Sequence, residues 1–437
     1  MRSREDHAFM VVLRSYEPAD LDEVSRLRAS VYQGAGDDHH EWHASIWRWL
    51  ETHPLAAELH RWVLVDDDRV VGFLAAMPQY YRIAGRRVVA HTPGDYMVDP
   101  AYGFHAVTLM RALFRTVTNC VSCDWLPSVT RLQRWFGMVD VAELQHAAKV
   151  LTVARLPVAL PRPVGGVVNL GLAAVDRVLT ASPPRLPVKV LDGFDERFDR
   201  FFEALAAHFP CLPEKDAAFL RWRYGPGSPQ RAEPVLAVLE GDELLGYAVL
   251  RVTATDRAGY LLDLTVRPGR YDVARALLGQ AIHHFRAAGA NIIRYRFLAS
   301  PVSPRPRDLW RLGFFPRKQR HRLQVKFAEH ETTVYGWAWL TAPPRPCGRR
   351  GRPMSARRIF LRRCPFGAPG RRAQLLPAGS PDPEEAGFAG RRILPRGAPE
   401  AFRGHLLRPL TASSRPLIAQ ISSRAGLTVM ARSGSRW

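Results

Sequence analysis

No run of apolar residues in this 437-residue chain is long enough to read as a membrane span. The least charged stretch, PVGGVVNLGLAAV at 163–175, is short and carries an asparagine. The N-terminus, MRSREDHAFMVVLRSYEP, lacks the shape of a signal peptide, because its charges come early and its apolar run is short. These two lacks lead us to expect a soluble, cytoplasmic chain with no membrane partner. Cysteine is scarce as well. Cys120, Cys123, Cys211, Cys347 and Cys364 are odd in number and irregular in spacing, which excludes a disulfide framework. Cys120-Val-Ser-Cys123 has no second pair at zinc-ligand spacing, so small apolar core residues are the expected reading. The histidine-rich segment DDHHEWH (37–43) holds His39, His40 and His43 without the HExxH pattern. It reads as a polar loop before a helix, and no metal is expected.

Lysine is missing from residues 341–437, although that segment carries 19 arginines against four acidic residues. Most of the formal net charge of +21 therefore lies there, outside the apolar-patterned part of the chain. The segment is rich in Arg, Pro, Gly, Ala and Ser and shows no sustained period of 2 or 3.6. Two readings stand. A disordered basic tail would bind nucleic acid through its arginines. A frameshifted end of a GC-rich gene would give the same composition, and then nucleic acid is not a partner.

What is present is a pattern stated twice. FMVVLRSYEPADLDEVSRLRASVY gives a strand and a helix that Asp20 can cap. Strand-like runs follow, turning at Asp66-Asp67-Asp68 and Ala84-Gly85. VDPAYGFHAVTLMRALF (98–114) gives a strand end, a turn and a helix with Leu109, Met110, Leu113 and Phe114 on one side. A strand over 117–125, a helix over 128–136 ending at Gly137, and the strand-like KVLTVARLPV close the unit. Residues 188–330 repeat the order. DDDRVVGFLA lines up with EGDELLGYAV, and LQRWFGM with LWRLGFF. Trp49 precedes Gly72 by 23 residues and Trp222 precedes Gly246 by 24. The expected organisation is a first unit at 9–157, a proline-flanked linker with a short helix at 158–187, a second unit at 188–330 and the tail at 341–437.

The order of strands and helices, with VDPAY running into a helix and a later "GF", resembles the GNAT family of acyl-CoA-dependent N-acyltransferases. The aromatic-basic stretches WRWLETHP (47–54) and FLRWRYGPGSP (219–229) resemble its bacterial tandem type. The resemblance implies an α/β (α+β) chain of two tandem GNAT folds, each a mixed, mostly antiparallel central sheet flanked by helices. It also implies a fourth strand splayed from the fifth, with the pantetheine arm in the gap and the pyrophosphate on the turn that follows. On this chain the implied cofactor-binding residues are Met97, Val98, Gly103, Phe104, His105, Ala106, Val107 and Thr108. Gly103, Ala106 and Thr108 replace the family's Arg/Gln, Gly and Gly/Ala.

The physical basis of such a turn is general: a helix N-terminus offers unpaired N–H donors and partial positive charge. For acyl transfer the implied catalytic residues are a carboxylate base and a tyrosine acid, here Asp95, Tyr96 and Tyr102, with Asp99 nearby. The donor would be acetyl-CoA or another acyl-CoA, and the acceptor an amine on a small molecule or peptide. In the second copy, Asp272 after PGRY (268–271) would compete with a phosphate for the same N–H groups. Tyr260, Asp263 and Tyr295 there read as packing residues. Two alternatives remain: a non-catalytic tandem-GNAT protein whose clefts bind a ligand or partner, and a nucleic-acid binder acting through the tail.

Overall fold

A computed structural model describes residues 11–31, 38–155, 161–181, 186–254, 256–318 and 321–328, without the side chains of 38–40, 42 and 155. Both readings of residues 341–437 fall outside the described residues, as do the side chains of His39, His40 and Trp42.

The first repeat runs β1 (Val12–Ser15), α1 (Leu21–Val31), α2 (Asp38–Leu50), β2 (His60–Asp66), β3 (Arg69–Ile83), β4 (Arg86–Val98), α3 (Ala106–Thr116), β5 (Cys120–Asp124), α4 (Pro127–Trp135) and β6 (Val139–Val150). Helix α5 (Arg162–Ala181) follows. The second repeat runs β7 (Val188–Leu191), α6 (Glu196–Ala206), β8 (Cys211–Pro213), α7 (Ala217–Tyr224), β9 (Val235–Glu240), β10 (Glu243–Val252), β11 (Ala258–Val266), α8 (Tyr271–Ala287), β12 (Ile292–Phe297), α9 (Pro306–Arg311), β13 (Phe315–Pro316) and β14 (His321–Lys326).

All of these strands belong to one mixed sheet, ordered β1-β2-β3-β4-β5-β14-β6-β12-β11-β10-β9-β7, with β8 added beside β3 and β13 beside β6. The order reads the same from both ends. β4 and β5 are parallel, as are β11 and β12, because α3 and α8 are the crossovers that a parallel pair requires. At the centre the repeats trade their last strands. β14 pairs with β5 (Arg322↔Asp124, Lys326↔Cys120), while β6 pairs through Gln145–Val150 with β12. The first part of β6 pairs with β14, from His321↔Leu144 to Val325↔Val139. Each repeat therefore finishes the other's sheet.

The helices cover both faces, and their apolar stripes explain where. Leu109, Met110 and Leu113 of α3 are fully buried against Trp62, Leu64 and Leu74. On the other face α1 and α2 place Val24, Leu27, Trp47 and Leu50 over Val63, Phe73 and Ala75. A core between the repeats joins Tyr81, Ile83 and Val121 to Phe198, Phe201 and Tyr247. Trp49 and Trp222, the matching tryptophans of the two repeats, stack on each other with ring centroids 4.2 Å apart. Cys120, Cys123 and Cys211 are buried and none is in a disulfide, and Cys120 and Cys123 sit in the core as expected.

Three local expectations are corrected. Asp20 does not cap α1. It closes a 3-10 turn, Pro18–Asp20, accepting from Glu17 N–H and pairing with Arg14 at 2.7 Å. The apolar stretch read as too short to span is part of the 20-residue α5, which by length and composition is long and apolar enough to cross a membrane. Its Asp176 is nevertheless buried against the protein, 2.6 Å from Lys149 and bonded to Arg286 Nε at 2.6 Å. The strand after Gly137 starts earlier than expected and spans Val139–Val150.

The paired glycines have a steric reason. A Cβ on Gly246 would lie 2.7 Å from Val266 Cγ1, 2.9 Å from Val273 Cγ1 and 3.1 Å from the Thr265 carbonyl oxygen. On Gly72 it would meet Leu64 Cδ1 at 2.7 Å and Leu109 Cδ1 at 3.2 Å. The Leu64 Cβ, also 3.2 Å from that position, is fixed, but the two closest leucine ends can turn, whereas a β-branched strand residue and a backbone carbonyl cannot. Gly246→Ala should destabilise by about 1–3 kcal/mol and Gly72→Ala by less, read from urea melting midpoints.

Candidate functional site

Strand β4 leaves β5 almost at once. His91↔Cys120 is the one register pair between them, fixed by His91 N–H donating to the Asn119 carbonyl at 2.9 Å. Beyond it the β5-facing edge of β4 has no ladder partner among the described residues. Further along β4 lies a bulge in the β3–β4 ladder, where Phe73 faces Met97 but Ala75 faces Gly94, so Asp95 and Tyr96 together oppose one residue. Asp95 takes the left-handed φ of 49° there, a strained state for a non-glycine residue.

Asp95 is held in that state by its own side chain. It accepts from Arg28 Nη1 of α1 at 2.8 Å and from Trp47 Nε1 of α2 at 3.0 Å. Burial pushes its carboxyl up, but Arg28, His43 and the two hydrogen bonds outweigh that and hold it below the usual carboxylate range. Such a carboxylate pins the bulge and is a poor proton acceptor. Arg28→Met would leave Asp95 buried without its cation and should cost about 3 kcal/mol of stability, measured by urea unfolding.

Tyr96 donates to the Ala106 carbonyl at 2.7 Å, and burial, with Asp124 nearby, raises its hydroxyl pKa. Tyr102 donates to Asp66, and that bond is the main reason its hydroxyl titrates high. Met97 is buried under α1 and α2, and Val98 ends the strand half-buried beside α3. Asp99 accepts from Ala101 N–H at 3.0 Å and pairs with Arg69 at 2.8 Å, which starts the 3-10 turn Pro100–His105. Gly103 lies open, with nothing within 4 Å of the position a Cβ would take. Phe104 is 72% exposed and lies against His105, ring centroids 4.1 Å apart. Ala106, Val107 and Thr108 form the first turn of α3, whose N-terminus has no side-chain cap. The eight residues expected to hold the cofactor thus run from the end of β4 through the 3-10 turn into the first turn of α3, with the Met97 side chain turned into the α1–α2 core.

Sequence reading missed two groups. Asp124 ends β5 and is buried, near enough to Tyr96 across the gap to act on its hydroxyl. Burial raises its carboxyl pKa, partly offset by N–H groups of Leu126 and Trp125, the former at 2.8 Å. Nothing in CVSCDWL signals this, because the burial comes from strands distant in sequence. The second group lies where β4 and β5 part: Glu58, His60 and His91 offer ligand atoms within 4.8 Å of one another, a set able to hold a divalent cation. His91 Nε2 lies 2.9 Å from the Glu58 carbonyl, and burial, with His60 nearby, lowers its pKa. The histidine-rich segment is not the loop expected of it: residues 38–43 lie in α2, with His43 buried beside Trp47.

The second repeat has the same outline with its slot closed over. β11 and β12 pair from Ala258↔Ile292 to Leu261↔Tyr295 and then part. The chain after β12 folds back over the opening: Val266 N–H donates to the Val302 carbonyl at 2.9 Å and Gly269 N–H to the Pro301 carbonyl at 3.2 Å. At the N-terminus of α8, Asp272 supplies an anion of its own, paired with Arg270 at 2.9 Å and held acidic first by that arginine and then by the Val273 N–H. Tyr260 accepts from Arg294 Nη1 at 3.1 Å, Asp263 pairs with Lys215 at 2.7 Å, and Tyr295 stacks on Phe297.

A parallel pair that splays, followed by a turn into a helix, is the arrangement the GNAT resemblance implied, and the fold is GNAT-like. The sequence matches no protein-family model and no curated protein. Among solved structures the chain is similar to a GCN5-related N-acetyltransferase from Kribbella flavida, with 18% identity over 73% of this chain and 72% of that one and a TM-score of 0.44. It is similar also to a probable N-acyltransferase from Enterococcus faecalis V583, with 10% identity over 75% and 74% and a TM-score of 0.46. A third is Saccharomyces cerevisiae N-myristoyltransferase with bound myristoyl-CoA, with 12% identity over 72% and 78% and a TM-score of 0.48.

Proposed function

We propose that the chain is an acyl-CoA-dependent N-acyltransferase whose site is the gap between β4 and β5, with acetyl-CoA as the default donor. The observation that carries this is the difference between the repeats. The second gap is closed by Pro301 and Val302 and Asp272 stands in the first turn of α8, whereas no backbone bond of that kind crosses the first among the described residues, and its carboxylate, Asp99, lies one 3-10 turn ahead of α3 on Ala101 N–H. The unpaired edge of β4 beyond His91 offers backbone groups to a pantetheine amide, and the 3-10 turn leading into α3, whose Ala106 N–H is bonded to the Gly103 carbonyl, offers partial positive charge to a pyrophosphate.

The roles then differ from those expected of the sequence. Asp95 fixes the bulge, and Tyr96 and Tyr102 have hydroxyls committed to Ala106 and Asp66. Asp124 is the group suited to take a proton, since burial makes its carboxylate more basic than usual. In the step itself the neutral amine nitrogen attacks the thioester carbonyl carbon and backbone N–H groups of β4 stabilise the oxyanion. The C–S bond then breaks, the thiolate carries off the electron pair, and the proton shed by nitrogen goes to Asp124. The acceptor is an amine on a small molecule or a peptide.

A second reading, a protein that binds acyl-CoA without turning it over, draws on the same commitment of Asp95, Tyr96 and Tyr102 to internal bonds. Titration calorimetry with acetyl-CoA, followed by thiol release over a panel of amines, separates the two. Binding with thiol release supports transfer, binding without release supports the second reading, and no binding at millimolar acetyl-CoA removes both.

A further inference from the structure

The root of the β4–β5 gap carries three side chains that acyl transfer does not use. Glu58 ends a 3-10 turn, Ala56–Glu58; His60 opens β2; and His91 lies on β4 at its register pair with β5. On β3, His60 faces Ala76 and His91 faces Pro78, two residues on. The period of 2 along a strand therefore puts both imidazoles on one face of the sheet, with β3 between them. Their ring centroids are 5.3 Å apart, and one ligand atom from each of the three residues lies within 4.8 Å of the others. Two imidazoles on one tetrahedral ion, with metal–nitrogen bonds of about 2.0–2.1 Å, place their centroids roughly 5 Å apart. The histidines thus stand close to coordination spacing already.

The remaining adjustment falls on the ligand that can move. Glu58 is exposed, and His60 is half-buried, touching only the rings of Trp62 and His91. His91 is the fixed member, 5% exposed. Its Nε2 lies 2.9 Å from the Glu58 carbonyl, and its buried Nδ1 has no hydrogen-bond partner. No neighbour dictates which nitrogen carries the proton. With the proton on Nδ1, the Nε2 lone pair faces the turn that brings Glu58. Burial, with His60 nearby, lowers the His91 pKa and keeps the ring neutral at pH 7, the form that coordinates. A fully supported metal histidine donates its other N–H to a carboxylate or carbonyl, and losing that partner costs about 10–100-fold in affinity. His91 lacks one, so a micromolar site is expected rather than a nanomolar one.

We propose that Glu58, His60 and His91 bind one divalent ion of the zinc class, with water completing its shell. Two imidazoles and a carboxylate suit such an ion, whereas Mg²⁺ and Ca²⁺ take shells of oxygen. The ion joins the turn ahead of β2, β2 itself and β4, and so braces the sheet where the gap begins. The proposal stands whether or not the gap turns acyl-CoA over, because metal binding alone reads it.

Competition for Zn²⁺ against a chromogenic chelator, on the full chain first stripped with EDTA, tests it. Zn²⁺ at a hundred times its dissociation constant should also raise the melting temperature, by about 3 °C or more, and Mg²⁺ should not. Glu58→Ala and His60→Ala should each weaken Zn²⁺ binding at least tenfold and remove that thermal response. Neither residue is buried, so both variants should melt near the wild type without zinc, which separates loss of the site from loss of the fold. His208→Ala, at an exposed histidine of the second repeat, should change neither readout. No Zn²⁺ binding below millimolar concentration in the wild type overturns the proposal. So does binding retained in full by Glu58→Ala and His60→Ala, which would place the ion elsewhere, the histidine-rich segment at 37–43 included.

Discussion

Replacing Ala106 by aspartate should weaken acetyl-CoA binding at least a hundredfold (on the order of 3 kcal/mol) while leaving the fold intact. The change brings to the start of α3 the carboxylate that Asp272 supplies at the start of α8. It would accept the same N–H donors as a pyrophosphate and repel its charge. As a first-turn residue, an aspartate is favourable to the helix itself, so the melting temperature should hold or rise slightly. The reciprocal change, Asp272→Ala, should leave affinity for acetyl-CoA unchanged, because Val266 and Gly269 remain bonded to the loop at Pro301 and Val302. Calorimetry on the two variants beside the wild type is sufficient. Equal affinity in Ala106→Asp would move the cofactor away from this turn.

Asp124→Asn should lower kcat by about 10²–10⁴-fold with little change in the KM for acetyl-CoA, the usual loss when a positioned base is removed. It should also make the protein more stable at neutral pH. The folded-state pKa of Asp124 is raised, so the native state holds this proton more tightly than the unfolded chain does. Its contribution to stability is therefore present in acid and lost as pH rises through the two pKa values. Asparagine removes that loss, so variant and wild type should melt alike in acid and diverge in the variant's favour above it. The acid limb of the kcat/KM profile should vanish together with the activity. A loss of activity accompanied by lower stability at neutral pH would instead mark Asp124 as the brace of the β5–α4 turn.

Much of this arrangement is written locally in the sequence. The α3 stripe of Leu109, Met110 and Leu113, the glycine at the end of α4 with its φ of 90°, and the doubled Trp and Gly landmarks are set by periodicity, left-handed backbone and close approach. What could not be read is what depends on partners far along the chain. Asp95 looks like a base on a strand until Arg28 and Trp47, 67 and 48 residues away, are found holding it. Asp124 looks like the polar end of a strand until β14 is laid beside it. The exchange of β6 and β14 is invisible for a related reason: an alternating strand satisfies its pattern of buried faces beside either neighbour.

That exchange has a consequence for how the chain is made. When the ribosome has finished β6 at Val150, neither β12 nor β14, the strands that will flank it, has been synthesised. The edge of β5 is bare over the same interval, since its partner is also β14. The first repeat therefore leaves the exit tunnel with a sheet open at its centre, and it must wait for residues 292–326 before its last hydrogen bonds form. Such late, long-range pairing is slow, and exposed strand edges invite other chains while they wait. A nascent chain arrested inside the second repeat should be bound by chaperones and cut by protease across β5 and β6, and release of one arrested beyond β14 should abolish both.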